Sequence, residues 1–268
     1  MDLSDTSTDG PAETAPIRDE KYFFDDGDCM FLVGGVLFKL HRLFLCRDPE
    51  SMFRGMFSIP QNGMAQAPDL EPIPLPDDTA DEFRAFCWAI YALPGEIYLQ
   101  STHKGDIARL VNVAKMGHKY TLPMFESWAL EMLVTQGPIY LRTCAPNMLS
   151  RIMSLAALCE NGQLFALVET FWLSRVRGGL PCTEALSAGE MHGRRRFLAD
   201  VYYHLHKELC TTALSPASAF SHLHLTDKQL LRLLSGHTLL TNFWDHLRQG
   251  TPPQLAQCYN HSYCNSLG

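Results

Sequence analysis

The spacing of apolar positions changes several times along the chain, and each change marks an element. Up to about residue 20 hardly any large apolar side chain occurs, and Asp, Ser, Thr, Pro and Ala dominate. Such a segment buries too little surface to offset the entropy of ordering it, so residues 1–20 are expected to form a disordered acidic tail. From Cys29 the run Cys-Met-Phe-Leu-Val, then Gly34-Gly35, then Val-Leu-Phe-Lys-Leu predicts a β-hairpin over 29–40 with a tight Gly-Gly turn. Helical faces follow at 41–46 and 51–57, where Leu43, Phe44, Phe53, Met56 and Phe57 supply the apolar positions and Asp48-Pro49 separates the two. The stretch 60–76 carries Pro60, Gly63, Pro68, Pro72, Pro74 and Pro76 and reads as a loop. Its end, 72–76, suits a sheet edge, where a missing N–H is tolerated.

Helical periodicity then takes over. Thr79 with Glu82 three residues later predicts a capping box, and Phe83, Phe86, Cys87, Ile90 and Tyr91 continue at helical spacing until Leu93-Pro94-Gly95. Residues 106–116 and 124–134 each place apolar side chains on one face, and the short connection 117–123 predicts a helical hairpin. Beyond Gln136-Gly137-Pro138 the helical pattern recurs at about 147–159, 162–176 and 190–209. Ser235-Gly236 in the middle of 226–249 predicts one broken or two short helices there. The fold class that follows is α+β: a small mixed sheet with a cluster of helices over 21–137, an all-α extension over 138–250, and a flexible tail over 251–268.

Charge narrows the range of partners. The net charge of -7 arises within the first 28 residues, where nine acids face Arg18 and Lys21, so the remaining chain is near neutral. It offers no broad basic surface for phosphate backbones or anionic lipid, and neither nucleic acid nor a membrane is expected as a partner. The nine cysteines are odd in number and mostly sit in apolar stretches, which predicts thiols in a reducing compartment, cytoplasmic or nuclear.

Candidate chemistry is sparse. His41 lies between Leu40 and Arg42 at a strand-to-helix junction, a place for a structural hydrogen bond. No serine elbow, glycine-rich phosphate loop or His-Glu-x-x-His pattern accompanies it. The pairs His204/His206 and His222/His224 and the group Cys258, His261 and Cys264 fit no closed four-ligand zinc site, and residues two apart on a helix point to different faces. Arg194, Arg195 and Arg196 read as a solvated face. Trp172 and its aromatic neighbours read as core. No catalytic residue, cofactor or metal is expected, and the chain is read as non-enzymatic.

The order of elements, with Phe38-Lys39-Leu40-His41-Arg42, Leu45, Phe53, Met56-Phe57, Ile73-Pro74-Leu75, Phe83 and Ile90-Tyr91 at these spacings, resembles the BTB/POZ domain. Phe38, Leu40, His41, Phe53, Met56, Phe57 and Tyr91 are the signature positions of that resemblance. Fungal members are the most similar: they also carry an acidic lead into an aspartate-glycine turn, as in Phe24-Asp25-Asp26-Gly27-Asp28, and a helical extension after the domain. The resemblance implies a protein–protein interaction module acting as adaptor or scaffold. The alternative is a substrate adaptor of a cullin-type ubiquitin ligase, with Phe57, Ser58, Ile59, Pro60 and Gln61 in the partner-binding stretch. Cullin binding in several such families is assisted by a hydrophobic-x-glutamate step that this stretch lacks. Long-form members exchange an N-terminal strand and helix between subunits. Here that region is the polar tail, so any self-association is expected without strand exchange.

Overall fold

The computed structural model describes residues 15–58, 71–211 and 223–249. Its elements are strands β1 (Ile17–Phe23), β2 (Cys29–Val33) and β3 (Val36–Leu40), helices α1 (Arg42–Leu45) and α2 (Met52–Ser58), strand β4 (Ile73–Pro74), and helices α3 (Ala80–Tyr91), α4 (Pro94–Leu99), α5 (Ile107–Lys119), α6 (Pro123–Tyr140), α7 (Pro146–Leu158), α8 (Gly162–Arg177), α9 (Thr183–Met191), α10 (Arg195–Thr211) and α11 (Asp227–Gln249). The protein is mixed α+β and mostly helical. It divides into two compact units, Met1–Trp172 and Leu173–Gly268.

The sheet lies in the first unit with strand order β1-β3-β2-β4: β2 and β3 form the antiparallel hairpin, while β1 pairs parallel with β3 and β4 parallel with β2. Gly34 and Gly35 both adopt positive φ, 55° and 79°. This is what a two-residue turn matching the right-handed twist of its strands requires, and what glycine adopts without a Cβ penalty. Along β2 every second residue is buried, Cys29, Phe31 and Val33, and β3 contributes Phe38 and Leu40. Against this face pack Phe53 of α2 and Phe83 and Phe86 of α3. The rings of Phe38 and Phe83 meet edge-on at 4.8 Å, and Phe53 stacks at 4.6 Å on Tyr120, the residue that ends α5. Helices α5 and α6 form the expected hairpin, and Gly117 lets them approach closely, since a Cβ there would lie 2.7 Å from the Glu126 backbone nitrogen.

The capping box of α3 is present, with Thr79 Oγ1 accepting from Glu82 N at 3.2 Å and Glu82 Oε2 accepting from Thr79 N at 3.3 Å. Proline-rich β4 takes the sheet edge beside β2.

Several boundaries differ from the sequence expectation. Strand β1 occupies Ile17–Phe23, so the tail expected to end at residue 20 is ordered from Ile17 on; residues 1–14 and 250–268 lie outside the described residues. The strand is cryptic because its two buried positions are Asp19 and Tyr22, and a buried acid does not register as a core residue. Asp19 is held by three donors: Lys21 N at 3.0 Å, Tyr22 N at 2.9 Å and Arg84 Nε at 2.7 Å. The domain edge placed at 137/138 falls inside α6, which continues through Pro138 to Tyr140, while α7 packs on α5 within the first unit. Helix α4 begins where Leu93-Pro94-Gly95 suggested only a stop, because Pro94 sits at the first helical position, where its missing N–H costs nothing.

The helix expected over 190–209 is α10, Arg195–Thr211, and it is preceded by α9, Thr183–Met191, which the sequence did not announce. They are separated at Gly193, whose positive φ of 62° and whose neighbour's bond, Arg194 N to Gly189 O at 2.9 Å, close α9 with a left-handed cap. Helix α11, expected to break at Ser235-Gly236, is continuous. A Cβ at Gly236 would meet nothing within 4 Å, and one glycine costs a helix only about 1 kcal/mol.

Candidate interaction surface

The residues that carry the sequence signature converge on one core. Phe38, Leu40 and Phe53 are fully buried, and Met56 and Phe57 lie half-buried on the last turns of α2. The Phe57 ring stands 6.2 Å from Phe31 on its inner side and carries the Arg42 guanidinium 4.9 Å from its centroid on the other. Ser58 is exposed and donates its hydroxyl to Gly55 O at 2.8 Å, ending the helix. Of the stretch expected to meet a partner, Phe57 and Ser58 are thus placed at the rim of the core, while Ile59, Pro60 and Gln61 lie outside the described residues.

His41 joins β3 to α1 in the structural role its position suggests. Its backbone N–H donates to Tyr91 Oη at 3.1 Å, and its Nδ1 lies 3.0 Å from the same oxygen. Its Nε2 faces Asp26 Oδ1 at 3.3 Å and carries the hydrogen there in the neutral ring, which leaves Nδ1 to accept from the Tyr91 hydroxyl. Phe24 covers both rings, 5.1 Å from His41 and 4.9 Å from Tyr91, and burial pushes the Tyr91 hydroxyl up to about 12. The hydroxyl stays protonated at neutral pH and ties the end of α3 to the hairpin.

Beside this tie lies a feature that sequence reading missed. A groove of about 680 Å³ opens where α1, α3, α4 and the start of α6 meet, floored and walled by Phe44, Ile90, Ile97, Leu122, Met124 and Phe125 and edged by Arg47, Asp48 and Glu50. Its size and apolar lining with a charged edge are those of a site for a ligand or an inserted side chain. Two of its lining side chains stand in water, Phe44 at 40% and Met124 at 76% exposed. Local chemistry shapes it. Asp48 Oδ1 accepts from Glu50 N at 2.9 Å, Ser51 Oγ donates to Leu45 O at 2.8 Å, and Met52 N donates to Tyr120 O at 3.0 Å, so the Asp48-Pro49 turn is pinned at the groove's edge. Pro123 starts α6 and presents Met124 and Phe125 to the groove. The one sequence-level signal was the pair Leu43-Phe44, too many apolar groups for a four-residue helix that buries only Leu45.

The candidate chemical residues are dispersed. His204 and His206 point apart as their spacing requires: Arg177 Nε lies 3.1 Å from His204 Nε2, whereas His206 Nδ1 lies 3.1 Å from His237 Nδ1 on α11. His222, Cys258, His261 and Cys264 lie outside the described residues, and His224 offers only its carbonyl, to Thr183 Oγ1 at 2.8 Å. Arg195 and Arg196 are exposed at the start of α10, and Trp172 is buried.

The buried thiols of Cys29 and Cys182 are pushed up by burial to about 12 and about 11, and that of Cys87 well above its ordinary value, so none is a thiolate nucleophile at neutral pH. His118, Glu126 and Cys159 meet where α5, α6 and α7 converge. There burial and the Glu126 carboxylate push the Cys159 thiol up to about 12, so it serves as a hydrogen-bond donor to the acid. Among the described residues, no helix is long and apolar enough to cross a membrane. No family model, no curated protein and no solved structure matches this chain.

Proposed function

We propose that the chain is a BTB/POZ-type protein interaction module, followed by a helical extension, that acts as a non-catalytic adaptor or scaffold. The observation that carries this reading is the apolar groove beside α1, whose lining keeps Phe44 and Met124 in water, 40% and 76% exposed. Contiguous exposed apolar surface of this kind costs solubility and marks a place that another molecule covers. The signature residues support the same reading. Phe38, Leu40 and Phe53 pack in one core, and His41 and Tyr91 lock the hairpin to α3 next to the groove.

Strand β1 bears on self-association. It lies on its own chain's β3, so a dimer of this protein needs no strand exchange to complete the sheet. A cullin N-terminal domain is the alternative partner, to be met through the end of α2 and the groove.

The test is affinity capture from the native cell with the full chain and with a Phe44→Glu/Met124→Glu variant. Both side chains are exposed, at 40% and 76%, and circular dichroism checks that the variant keeps its fold. The reading expects partners that the wild type retains and the variant loses. A cullin among them selects the ligase role, whereas identical capture by both proteins, or capture of nothing by the wild type, overturns the groove as the interaction site.

A further inference from the structure

We propose that His206 and Cys210 of α10 and His237 of α11 bind a borderline-soft divalent cation, zinc foremost, which staples α11 to α10. The set is assembled partly by helix periodicity and partly by tertiary packing. His206 and Cys210 are four residues apart on one helix and share a face. His237 arrives from α11 with its Nδ1 at 3.1 Å from His206 Nδ1, the two rings being 5.0 Å apart between centroids. Cys210 Sγ lies 3.9 Å from His206 Nδ1, and the ligand atoms of all three residues fall within 4.8 Å of one another.

Those separations suit one ion. Tetrahedral zinc with bonds of about 2.0–2.1 Å to nitrogen and about 2.3 Å to sulfur sets its nitrogens about 3.3 Å apart and nitrogen from sulfur about 3.5 Å. For the His206–His237 and His206–Cys210 pairs the gap is a few tenths of an ångström, and the Cys210–His237 pair, within 4.8 Å, closes by side-chain rotation, because Cys210 and His237 are exposed and His206 is only half-buried. Two imidazoles and a thiolate are the donor set that zinc prefers over magnesium or calcium, which take oxygen. On binding, the Cys210 sulfur gives its proton to solvent and bonds the ion, while each imidazole bonds through the Nδ1 lone pair and keeps its hydrogen on Nε2.

Three protein ligands leave the fourth position to water. It would lie near a cavity of about 150 Å³ between the two helices, lined by Tyr202, Tyr203, Leu233 and Gly236 together with His206 and His237. The consequence concerns α11. Of its 23 residues only Gln229 and Leu233 are buried, and the Glu190–Arg232 ion pair and the apolar contact around Leu233 help attach it to the rest of the second unit. His237 is one turn beyond Leu233, so a metal bond there fixes a helix that is otherwise held near one end.

The experiment uses the full chain, stripped with a chelator and titrated with cobalt(II), then with zinc. The expected result is one cobalt per chain with a tetrahedral visible spectrum and a thiolate-to-cobalt band in the near ultraviolet, displaced by zinc at micromolar concentration or below. Cys210→Ser should abolish the thiolate band. His237→Ala should weaken binding by at least about 100-fold, the upper end of what even an outer-shell change costs. His118→Ala, which touches the other His/Cys cluster, should change neither. Zinc should also slow amide exchange in 227–249. Retention of the band and the affinity in the Cys210→Ser and His237→Ala variants, or the lack of a tetrahedral complex in the wild type, overturns the proposal. Circular dichroism of the variants shows that the helices persist, so loss of binding reads as loss of ligands.

Discussion

Replacing Asp19 by alanine tests whether β1 belongs to the fold. Its side chain is 3% exposed and accepts from Lys21 N, Tyr22 N and Arg84 Nε. Alanine removes all three acceptor contacts at once, with unequal costs. Tyr22 is 5% exposed, so its backbone N–H is left without a partner away from water, at about 1–3 kcal/mol. Lys21 is exposed, and its N–H turns to solvent at little cost. The Arg84 side chain is 43% exposed and rehydrates, so its half of the ion pair counts as a surface interaction of less than about 1 kcal/mol.

The sum is about 1–4 kcal/mol, centred near 2 and concentrated on β1. Two kcal/mol is about 30-fold in an opening equilibrium, so amide exchange over 17–23 should accelerate by about that factor. The thermal midpoint of a unit this large should fall by about 4–8 °C. Asp19→Asn keeps the oxygen that both backbone donors use and should lose less than half as much. The measurement is hydrogen exchange by mass spectrometry on the full chain, with circular dichroism melts beside it. If residues 17–23 of Asp19→Ala exchange at the wild-type rate, β1 is not held by this residue and the reasoning fails.

Gly117→Ala sets helix propensity, which favours alanine by about 1 kcal/mol, against a Cβ 2.7 Å from the Glu126 backbone nitrogen. The α5–α6 crossing has to open, so a net loss of about 1–3 kcal/mol is expected in denaturant melts, and a more stable variant would refute the close approach. Tyr91→Phe keeps the ring but removes the acceptor for His41 N–H, which should cost about 1 kcal/mol by urea unfolding; no change would mean that the hydroxyl ties nothing.

Burial raises the Glu82 carboxyl, but the Lys115 ammonium and the Thr79 backbone and hydroxyl outweigh it and hold it below the usual range. A carboxyl lowered in the folded state adds stability above the ordinary glutamate value of about 4.3, and that stability is lost as pH falls through the folded value. Glu82→Gln should therefore be less stable than the wild type at neutral pH. The gap should close between about pH 4.3 and more acidic pH, as read from melting temperature against pH; a gap independent of pH would contradict the assignment.

Local rules determined much of this protein from its sequence. The Gly34-Gly35 turn needs no partner to be preferred, because only glycine takes two successive positive φ values freely, and Thr79 with Glu82 caps α3 through bonds that span three residues. Alternation along Cys29–Val33 and helical spacing along α3, α5, α7 and α8 likewise report which side chains face a core, whatever that core contains. What failed in the reading depended on residues far apart. Strand β1 looks polar because its anchor is an aspartate, and burying an acid is tolerable only once Arg84, 65 residues away, and two backbone amides of the strand itself are in place. The chain's division at Trp172 instead of 137/138 follows from α6 running through Pro138 and α7 docking on α5, which no composition shift announces.

The functional surfaces were the least legible. The groove draws on residues from Phe44 to Phe125; Phe44, Ile90 and Phe125 looked like ordinary core positions in their own helices, and Ile97 and Leu122 fell in stretches read as connections. His206, paired in sequence with His204, pairs in space with His237. Periodicity settles which way a side chain points, but only packing settles what it meets, because contact energy depends on distances between elements whose approach no local pattern encodes.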